Sequence, residues 1–224
     1  MYKNVIKRLI DLILSGVAII VLALPMLIIA ITIKVDDPGP VLFKQKRVGK
    51  KKNGEITYFM IWKFRSMKMS TPHDIPTHLL ENPEQYITRV GRFIRKTSLD
   101  ELPQIYQVFT SKLSIVGPRP ALWSQEDLVA EREKYKANDM KPGITGWAQI
   151  NGRDELEIDV KARFDGEYAA ALNAGKFKGF AMDVKCFFGT IVSVLKSDGV
   201  VEGGTGELKK QKEDIAQETH EVVK

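Results

Sequence analysis

Two adjacent carboxylates in the stretch TSLDELPQ are the side chains best suited to chemistry. Asp100 and Glu101 follow the basic residues Arg92, Arg95 and Lys96. Nearby cations favour the ionised form of an acid, so we expect both carboxylates to be charged at neutral pH. Because neighbouring side chains diverge, one carboxylate can hold a divalent cation while the other attacks an electrophile.

The acidic pair also has a structural interpretation. Ser98 and Glu101 have the spacing of a capping box, in which Glu101 only bonds back to the backbone of Ser98. Pro103 disfavours this interpretation, since a helix capped by Ser98 would hold a proline inside, whereas a helix that begins near Pro103 tolerates it. The carboxylates would then lie at the start of that helix, where the dipole favours negative charge. Spacing alone leaves both interpretations open.

Basic and amide side chains suited to phosphate recur in three other segments. In SIVGPRP, Arg119 lies between two prolines, which fixes the backbone around a planar guanidinium; a rigid surface turn is the alternative. In YFMIWKFRSM, strand alternation places Lys63 and Arg65 on one face. The glycine-rich KPGITGWAQINGR offers Lys141, Gln149, Asn151 and Arg153 to a phosphate or nucleotide. Its glycines permit close backbone approach to a ligand, yet glycines equally often only turn the chain.

Composition narrows the partner classes. The 224 residues include 34 Lys and Arg against 28 Asp and Glu, a net charge of +6, which suits nucleic acid, a phosphorylated substrate or lipid headgroups. The single cysteine, Cys186, excludes an internal disulfide and a cysteine-built zinc site, and its apolar neighbours indicate a packing role. His73 and His78 are interpreted as solvated loop residues because no third ligand stands at metal spacing.

An uncharged apolar run covers residues 12–33. As a straight helix it would be roughly 33 Å long, enough for a simple transmembrane anchor. Pro25 interrupts it, because it removes the backbone donor to the Val21 carbonyl and bends the helix. Basic residues flank both ends, and Lys and Arg are retained on the cytoplasmic side of membranes. We therefore hypothesise a re-entrant helix that enters the membrane, breaks at Pro25 and returns to the same side.

The remaining chain predicts a compact α/β domain of mixed, mostly helical character. Two strand-like runs joined by Asn53-Gly54 indicate a hairpin between residues 41 and 67. Residues 68–84 have no clear period and are interpreted as a loop. Helices are expected at about residues 85–95, 103–109, 125–136, 154–172 and 182–195. The apolar face of the last helix, with Val184, Phe187, Phe188, Ile191 and Leu195, most simply belongs to the core, and a bilayer surface is the alternative.

Several motifs in this order resemble a known family. KFRSM, IRKTSLDELPQ, SIVGPRP and KPGITGWAQINGR, after a basic, proline-broken apolar helix, resemble the small monotopic bacterial sugar transferases. These are the initiating polyprenyl-phosphate phosphoglycosyl transferases of glycan assembly. The resemblance covers residues 3–199. It implies a membrane anchor at residues 1–36, which we expect to be re-entrant, and a catalytic domain at 37–199 on the cytoplasmic face of the bacterial inner membrane. Residues 200–224, beyond the resemblance, are polar with little to bury, and we expect a mobile tail there.

The resemblance implies a reaction. A UDP-sugar gives its phospho-sugar to a membrane polyprenyl phosphate, undecaprenyl phosphate in this family, and UMP is released. The product, a polyprenyl-diphospho-sugar, begins capsule, exopolysaccharide, O-antigen or glycoprotein glycan synthesis. Asp100 corresponds to the family's nucleophile, which forms an aspartyl phospho-sugar. Glu101 corresponds to its magnesium ligand.

Further site residues follow from the same resemblance. Lys63, Arg95, Arg119 and Arg153 occupy positions of phosphate and active-site contacts, and Asp165 in RFDGEY resembles another functional acid. The basic stretch 44–52 is expected to contact anionic lipid.

The segment after the acidic pair departs from the family pattern. It commonly carries an asparagine and then a Gly-Asp pair, whereas QVFTSKLS has Gln107, Ser111 and Lys112. This departure concerns the local turn geometry rather than the chemistry.

Two other classes compete with the enzyme. A membrane-tethered nucleic-acid-binding module would share the basic charge, but the sequence has no recognition helix rich in Arg and Lys and no stacking platform, so no nucleic acid is expected as partner. A non-catalytic scaffold at the membrane surface would place no demand on Asp100. The sequence leaves open which sugar is transferred, and it leaves open a homo-oligomer built on the last helix and tail.

Overall fold

A computed structural model of the chain describes residues 2–71, 83–152 and 156–196. Within these ranges the fold is mixed and mostly helical, as predicted. The helices are α1 (Lys7–Val21), α2 (Ala23–Asp36), α3 (Arg89–Lys96), α4 (Gln104–Phe109), α5 (Glu126–Lys134), α6 (Trp147–Ile150), α7 (Ile158–Asn173) and α8 (Lys176–Lys196). The strands are β1 (Leu42–Val48), β2 (Tyr58–Phe64), β3 (Ser114–Val116) and β4 (Gly143–Thr145). A π-helical turn, Tyr2–Ile6, precedes α1.

The apolar N-terminal segment is bent, as its proline predicts. The axes of Tyr2–Val21 and Ala23–Asp36 meet at 59°. The bend lies at Leu22 because Pro25 disrupts the turn before it, and regular bonding resumes where the Met26 amide donates to the Leu22 carbonyl. Among the described residues, no single helix is long and apolar enough to cross a membrane, whereas this bent pair together has the length and composition to do so.

Polar residues of α1 hold it against the rest of the protein. Lys7 pairs with Asp183 of α8 at 2.7 Å. Asp11 accepts a 2.7 Å hydrogen bond from the hydroxyl of Ser114 in β3. Arg8 donates to the last carbonyls of α4 at 2.7 and 2.6 Å. Since Lys7 and Asp11 are buried and paired, separating α1 from the domain would leave unpaired charges, and α1 is therefore an integral part of the fold.

The outward side of the helix pair is apolar. Its exposed side chains include Leu9, Ile13, Val17, Ile20, Val21, Leu24, Leu27, Ile28 and Ile31. The inward side of α2 instead forms a core cluster in which Met26, Ile29 and Ile33 pack with Phe64 of β2 and Ile94 of α3. An apolar surface of this extent marks contact with a membrane or with another protein.

The predicted hairpin is confirmed. β1 and β2 are antiparallel, with Lys44 opposite Trp62. At the turn, Asn53 and Gly54 have φ of 50° and 85°, the left-handed values that an Asn-Gly turn between strands requires. The outer edge of β2 is secured by Gln107 of α4, whose amide donates to the Met60 carbonyl at 2.7 Å and accepts from the Trp62 amide at 2.9 Å.

A second, parallel pair of strands brings two glycine-containing segments together. β3 pairs with β4, and the Gly117 amide donates to the Thr145 carbonyl at 2.7 Å. A Cβ at Gly146 would stand 2.2 Å from the Gly117 carbonyl oxygen, so no larger residue fits there. SIVGPRP and KPGITGWAQINGR therefore lie in direct backbone contact.

Several predicted helix limits differ from the structure. The helix expected at residues 85–95 is a 3₁₀ turn, Pro83–Tyr86, followed by α3, which begins after Thr88 because the Thr88 hydroxyl accepts a capping bond from the Gly91 amide. The helix expected at 154–172 begins at Ile158. Parts of the predicted 68–84 loop, both loop histidines and the 200–224 tail lie outside the described residues.

The core assignment for one face of α8 is wrong. Val184, Phe187, Phe188 and Ile191 are each at least 37% exposed. The face that packs inward lies beside them on the helix and consists of Gly179, Met182, Asp183, Cys186, Gly189 and Thr190. Because most residues of this inward face are small or polar, a pattern based on hydrophobic residues does not identify it. The packing role predicted for Cys186 is confirmed, since that side chain is fully buried.

Ser111, one of the residues that depart from the family pattern, lies in a left-handed turn. Ser111 has φ of 68°, a conformation that glycine adopts without strain. The Ser111 hydroxyl accepts a 2.7 Å hydrogen bond from the Lys141 ammonium group, which ties the end of α4 to the residues before β4.

Candidate active site

The acidic pair lies on a 3₁₀ turn, Leu99–Glu101, immediately before α4. Ser98 has a left-handed backbone, φ 55°, and its side chain makes no capping bond, so the capping box does not form. Pro103 directly precedes α4, which confirms that the helix begins near this proline. Both carboxylates are therefore available for other contacts.

Glu101 is held by two cations. Its Oε1 accepts from Arg119 Nη2 at 2.7 Å and lies 3.0 Å from Lys63 Nζ. Burial alone would raise the pKa of Glu101, but Arg119 and Lys63 outweigh it and hold that pKa well below its usual range. Glu101 is therefore ionised at neutral pH. Its Oε2 is less engaged, with one 3.4 Å hydrogen bond from Arg119.

Asp100 has a different environment from its neighbour. It is only 4% exposed, and Lys63 Nζ lies 3.8 Å from its Oδ2. Burial raises the pKa of Asp100 above its usual value; Lys63 opposes the rise and the charge of Glu101 adds to it. The two acids thus have their pKa values pushed in opposite directions, as is common where two carboxylates have different roles.

The cations around the pair are only partly those expected. Arg92 and Lys96 are exposed on α3, whereas Arg95 is half-buried and its charge acts on Asp100. Burial lowers the pKa of Arg95, while the charge of Asp100 opposes that decrease. The expectation that Arg92 and Lys96 keep both acids ionised is therefore wrong: the closest cations come from β2 and from SIVGPRP, which are distant in sequence.

A buried ion pair supports the Arg119 backbone. Arg132 of α5 donates to the Arg119 carbonyl at 2.9 Å and bonds Asp165 of α7 through Nε at 2.8 Å and Nη2 at 2.6 Å. Asp165 is fully buried, and burial raises its pKa while Arg132 opposes the rise. The structure thus connects Asp165 to the site through Arg132 and the backbone of Arg119. Sequence reasoning missed Arg132, because one arginine in a charged helix has no distinguishing pattern.

The other candidate residues have separate positions. Arg65 bonds Asp37 and the Pro40 carbonyl, where it secures the chain after α2. Asn151 donates to the Trp147 carbonyl within its own turn. Gln149 is buried in α6, and Arg153 lies outside the described residues.

The pair offers a limited set of metal ligands. Within residues 2–71, 83–152 and 156–196 there is no group of three or more His, Cys, Asp or Glu side chains that could hold a metal ion. Magnesium fits the pair nonetheless, because it keeps several waters and binds through one or two carboxylates plus substrate phosphates. Glu101, which is ionised at neutral pH and has a lightly engaged Oε2, is the better ligand of the two.

Comparison with known proteins assigns the family. The sequence profile described as bacterial sugar transferase matches residues 2–197. The chain is 39% identical over 199 residues to an uncharacterized sugar transferase, EpsL, of Bacillus subtilis (strain 168), covering 88% of this chain and 90% of that protein. It is 38% identical over 200 residues to the exopolysaccharide production protein PSS of Rhizobium leguminosarum bv. phaseoli, covering 85% and 96%.

A larger relative has a specific activity in its name. The chain is 39% identical over 179 residues to the UDP-glucose:undecaprenyl-phosphate glucose-1-phosphate transferase of Escherichia coli (strain K12). The match covers 74% of this chain and 36% of that protein, so the chain spans about a third of its length. The chain belongs to the bacterial sugar transferase family, and the resemblance found in the sequence is confirmed.

The opposite pKa shifts predict opposite stability effects for the two acids. Because Asp100 has a raised pKa, the folded state binds more protons between the ordinary and the raised value, and stability falls as pH rises through that window. Asp100→Asn should therefore raise the free energy of unfolding at pH 7.5, with the gain disappearing at acidic pH. Thermal unfolding in detergent measures it.

Glu101 should behave in the reverse manner. Its lowered pKa stabilises the fold at pH values above the ordinary glutamate pKa of about 4.3. This contribution to stability is lost as the pH falls below that value towards the lowered pKa. Glu101→Gln should cost about 3 kcal/mol at pH 7.5, the low end for a broken buried ion pair because Glu101 keeps some exposure. Glu131→Gln, in an exposed pair with Lys134, is the control and should change stability by under about 1 kcal/mol. If Asp100→Asn and Glu101→Gln changed the free energy of unfolding at pH 7.5 in the same direction, the opposite pKa shifts assigned to the two acids would be contradicted.

The buried pair of Arg132 and Asp165 generates a separate prediction. Asp165→Asn leaves the Arg132 guanidinium buried without its counterion and should cost about 3–5 kcal/mol of stability. The double variant Arg132→Met with Asp165→Asn should recover part of that loss, as a double-mutant cycle of thermal unfolding would show. If Asp165→Asn instead kept full stability but lost activity, Asp165 would act on substrate directly.

Proposed function

We propose that the protein transfers a phospho-sugar from a UDP-sugar to a membrane polyprenyl phosphate and releases UMP. The names of the relatives support this reaction: the Escherichia coli protein is a glucose-1-phosphate transferase acting on undecaprenyl phosphate, and a Salmonella typhimurium relative, 33% identical over 210 residues, is an undecaprenyl-phosphate galactose phosphotransferase. The observation that carries the proposal is the buried Asp100 beside Glu101, which two cations bind directly.

Asp100 is the proposed nucleophile. Its carboxylate oxygen bonds to the β-phosphorus of the donor as the bond from that phosphorus to the bridging oxygen breaks, and UMP leaves with that oxygen. Burial removes water from the Asp100 carboxylate and from the aspartyl phospho-sugar that it forms. An oxygen of the polyprenyl phosphate then bonds to the same phosphorus, and the Asp100 carboxylate is released.

Cations around the pair orient the donor phosphates. Lys63 and Arg119 are held in place by Glu101, so their positive charge is already positioned when charge develops on phosphate oxygens. Arg95 lies near enough to act electrostatically on Asp100. Arg153 is proposed as a further phosphate contact on the strength of the family motif alone. Bound magnesium, held by Glu101, would neutralise charge on the phosphates and on departing UMP.

The helix pair is proposed as a re-entrant anchor. Its bend of 59° and its exposed apolar side fit a helix that enters one leaflet and returns. Polar contacts of Lys7 and Asp11 tie the same element to the catalytic domain, which would hold the site at headgroup level, where the acceptor phosphate lies. The domain then faces the cytoplasm, where the nucleotide-sugar donor is available.

The covalent step is testable on the protein itself. After rapid mixing with a UDP-sugar and magnesium, without acceptor, the peptide containing Asp100 should gain the mass of the phospho-sugar. Asp100→Asn should lose that mass and reduce turnover by at least about 150-fold, or about 3 kcal/mol of barrier. Asp159→Asn, at an exposed position of α7, is the matched control and should keep both the mass gain on the Asp100 peptide and normal turnover. Near-normal UMP release by Asp100→Asn would exclude Asp100 as the nucleophile.

Membrane topology is testable by labelling. In a variant with Cys186→Ala, single cysteines at Lys3 and Lys50 should both be shielded from an impermeant thiol reagent in intact cells. Both are shielded because the two ends of a re-entrant helix pair lie on the cytoplasmic side. Both should react once the membrane is permeabilised and the reagent reaches that side. Cysteine positions in a periplasmic protein serve as the positive control for labelling. Reaction of the two positions from opposite sides would show a spanning helix.

A further inference from the structure

A buried amide near the site has no hydrogen-bond partner. Gln149 is 8% exposed, and neither its Nε2 nor its Oε1 is hydrogen-bonded in the structure. Gln107 shows the usual arrangement, since it is buried as well, at 1% exposed, and its amide makes two hydrogen bonds to the backbone. A buried polar group without a partner costs free energy, so an amide left with neither bond indicates a group that a ligand satisfies.

The position of Gln149 relates it to the acidic pair. Its neighbours in α6 turn away from it: Trp147 donates to Glu167 of α7 at 2.7 Å, and Ile150 packs on Gly189 of α8. The Oε1 of Gln149 lies 2.9 Å from the point that a Cβ on Gly146 would occupy.

Gly146 crosses the backbone of Gly117, which is two residues before the Arg119 that holds Glu101. The Gln149 amide therefore lies beside the segment that carries the phosphate-binding arginine. The absence of side chains on Gly117 and Gly146 lets the two backbones meet there, and the Gln149 Oε1 lies against this contact.

We propose that Gln149 recognises the pyrimidine base of the nucleotide donor, an inference that rests on the proposed function. A primary amide presents a donor and an acceptor side by side, and the imide edge of uracil presents the complementary N3–H and carbonyl. With the diphosphate on Lys63 and Arg119, the base lies at one end of the donor and the sugar at the other. A bidentate amide–base pair gives Gln149 both of its missing hydrogen bonds, whereas a lone sugar hydroxyl does not.

Binding of UMP, measured by equilibrium dialysis with the full chain in detergent, tests the proposal. Gln149→Met keeps the shape of the side chain and removes the amide, so UMP should bind on the order of 10- to 100-fold more weakly, the discrimination typical of a bidentate amide–base pair. The melting temperature should be equal to or above that of the wild type, because no native hydrogen bond is lost. Gln107→Met is the matched control: it should lower the melting temperature, and the folded protein should bind UMP normally.

A modified ligand identifies the contacted edge. UMP methylated at N3 lacks the proposed donor. The wild type should therefore bind it about as weakly as Gln149→Met binds UMP, whereas Gln149→Met should bind UMP and N3-methylated UMP with nearly equal affinity. Equal affinity of Gln149→Met and wild type for UMP would overturn the proposal, and so would a loss from N3 methylation that is as large in Gln149→Met as in the wild type. A melting temperature lowered as far as that of Gln107→Met would also overturn it. Failure of the wild type to bind UMP at all would instead contradict the proposed function.

Discussion

The ion pairs of Glu101 with Arg119 and Lys63 are the contacts on which the site depends. Two neighbouring carboxylates on one turn repel each other, and burial disfavours the charge of both. The cations stabilise the two charges to different extents. They bind Glu101 directly and lower its pKa, whereas the pKa of Asp100 remains raised. The same contacts join β2, the turn before α4 and the SIVGPRP segment. The ion pairs that hold these three segments together therefore also set the charges of the two acids.

Local chemistry was readable from the sequence, and long-range pairing was not. The proline rule placed the start of α4 and the bend in the apolar helix correctly, since both effects act within a few residues. The Asn53-Gly54 hairpin followed for the same reason. Which cations meet the acids depends on how β2 and SIVGPRP fold onto that turn, and neighbours in sequence, such as Arg92, were misleading. The face of α8 was misjudged because its packed side carries small and polar residues.

Two groups at the site are arranged at the expense of stability. Asp100 is buried where its charged form is disfavoured, and the Gln149 amide is buried without hydrogen bonds. Proteins retain such features where function requires them. Arg132 bonds both Asp165 and the Arg119 carbonyl, which suits a residue that supports the site.

If the proposed function holds, the attachment of α1 through Lys7, Arg8 and Asp11 affects how a lipid acceptor reaches the site. An enzyme tethered by a flexible linker samples many heights above a bilayer, whereas in the proposed anchor the buried contacts of α1 would fix one height for the turn that carries Asp100 and Glu101. In the proposed reaction, the polyprenyl phosphate would then diffuse laterally to a stationary site. Encounter would be a two-dimensional search, with a rate set by lipid fluidity and surface density rather than by motions of the protein.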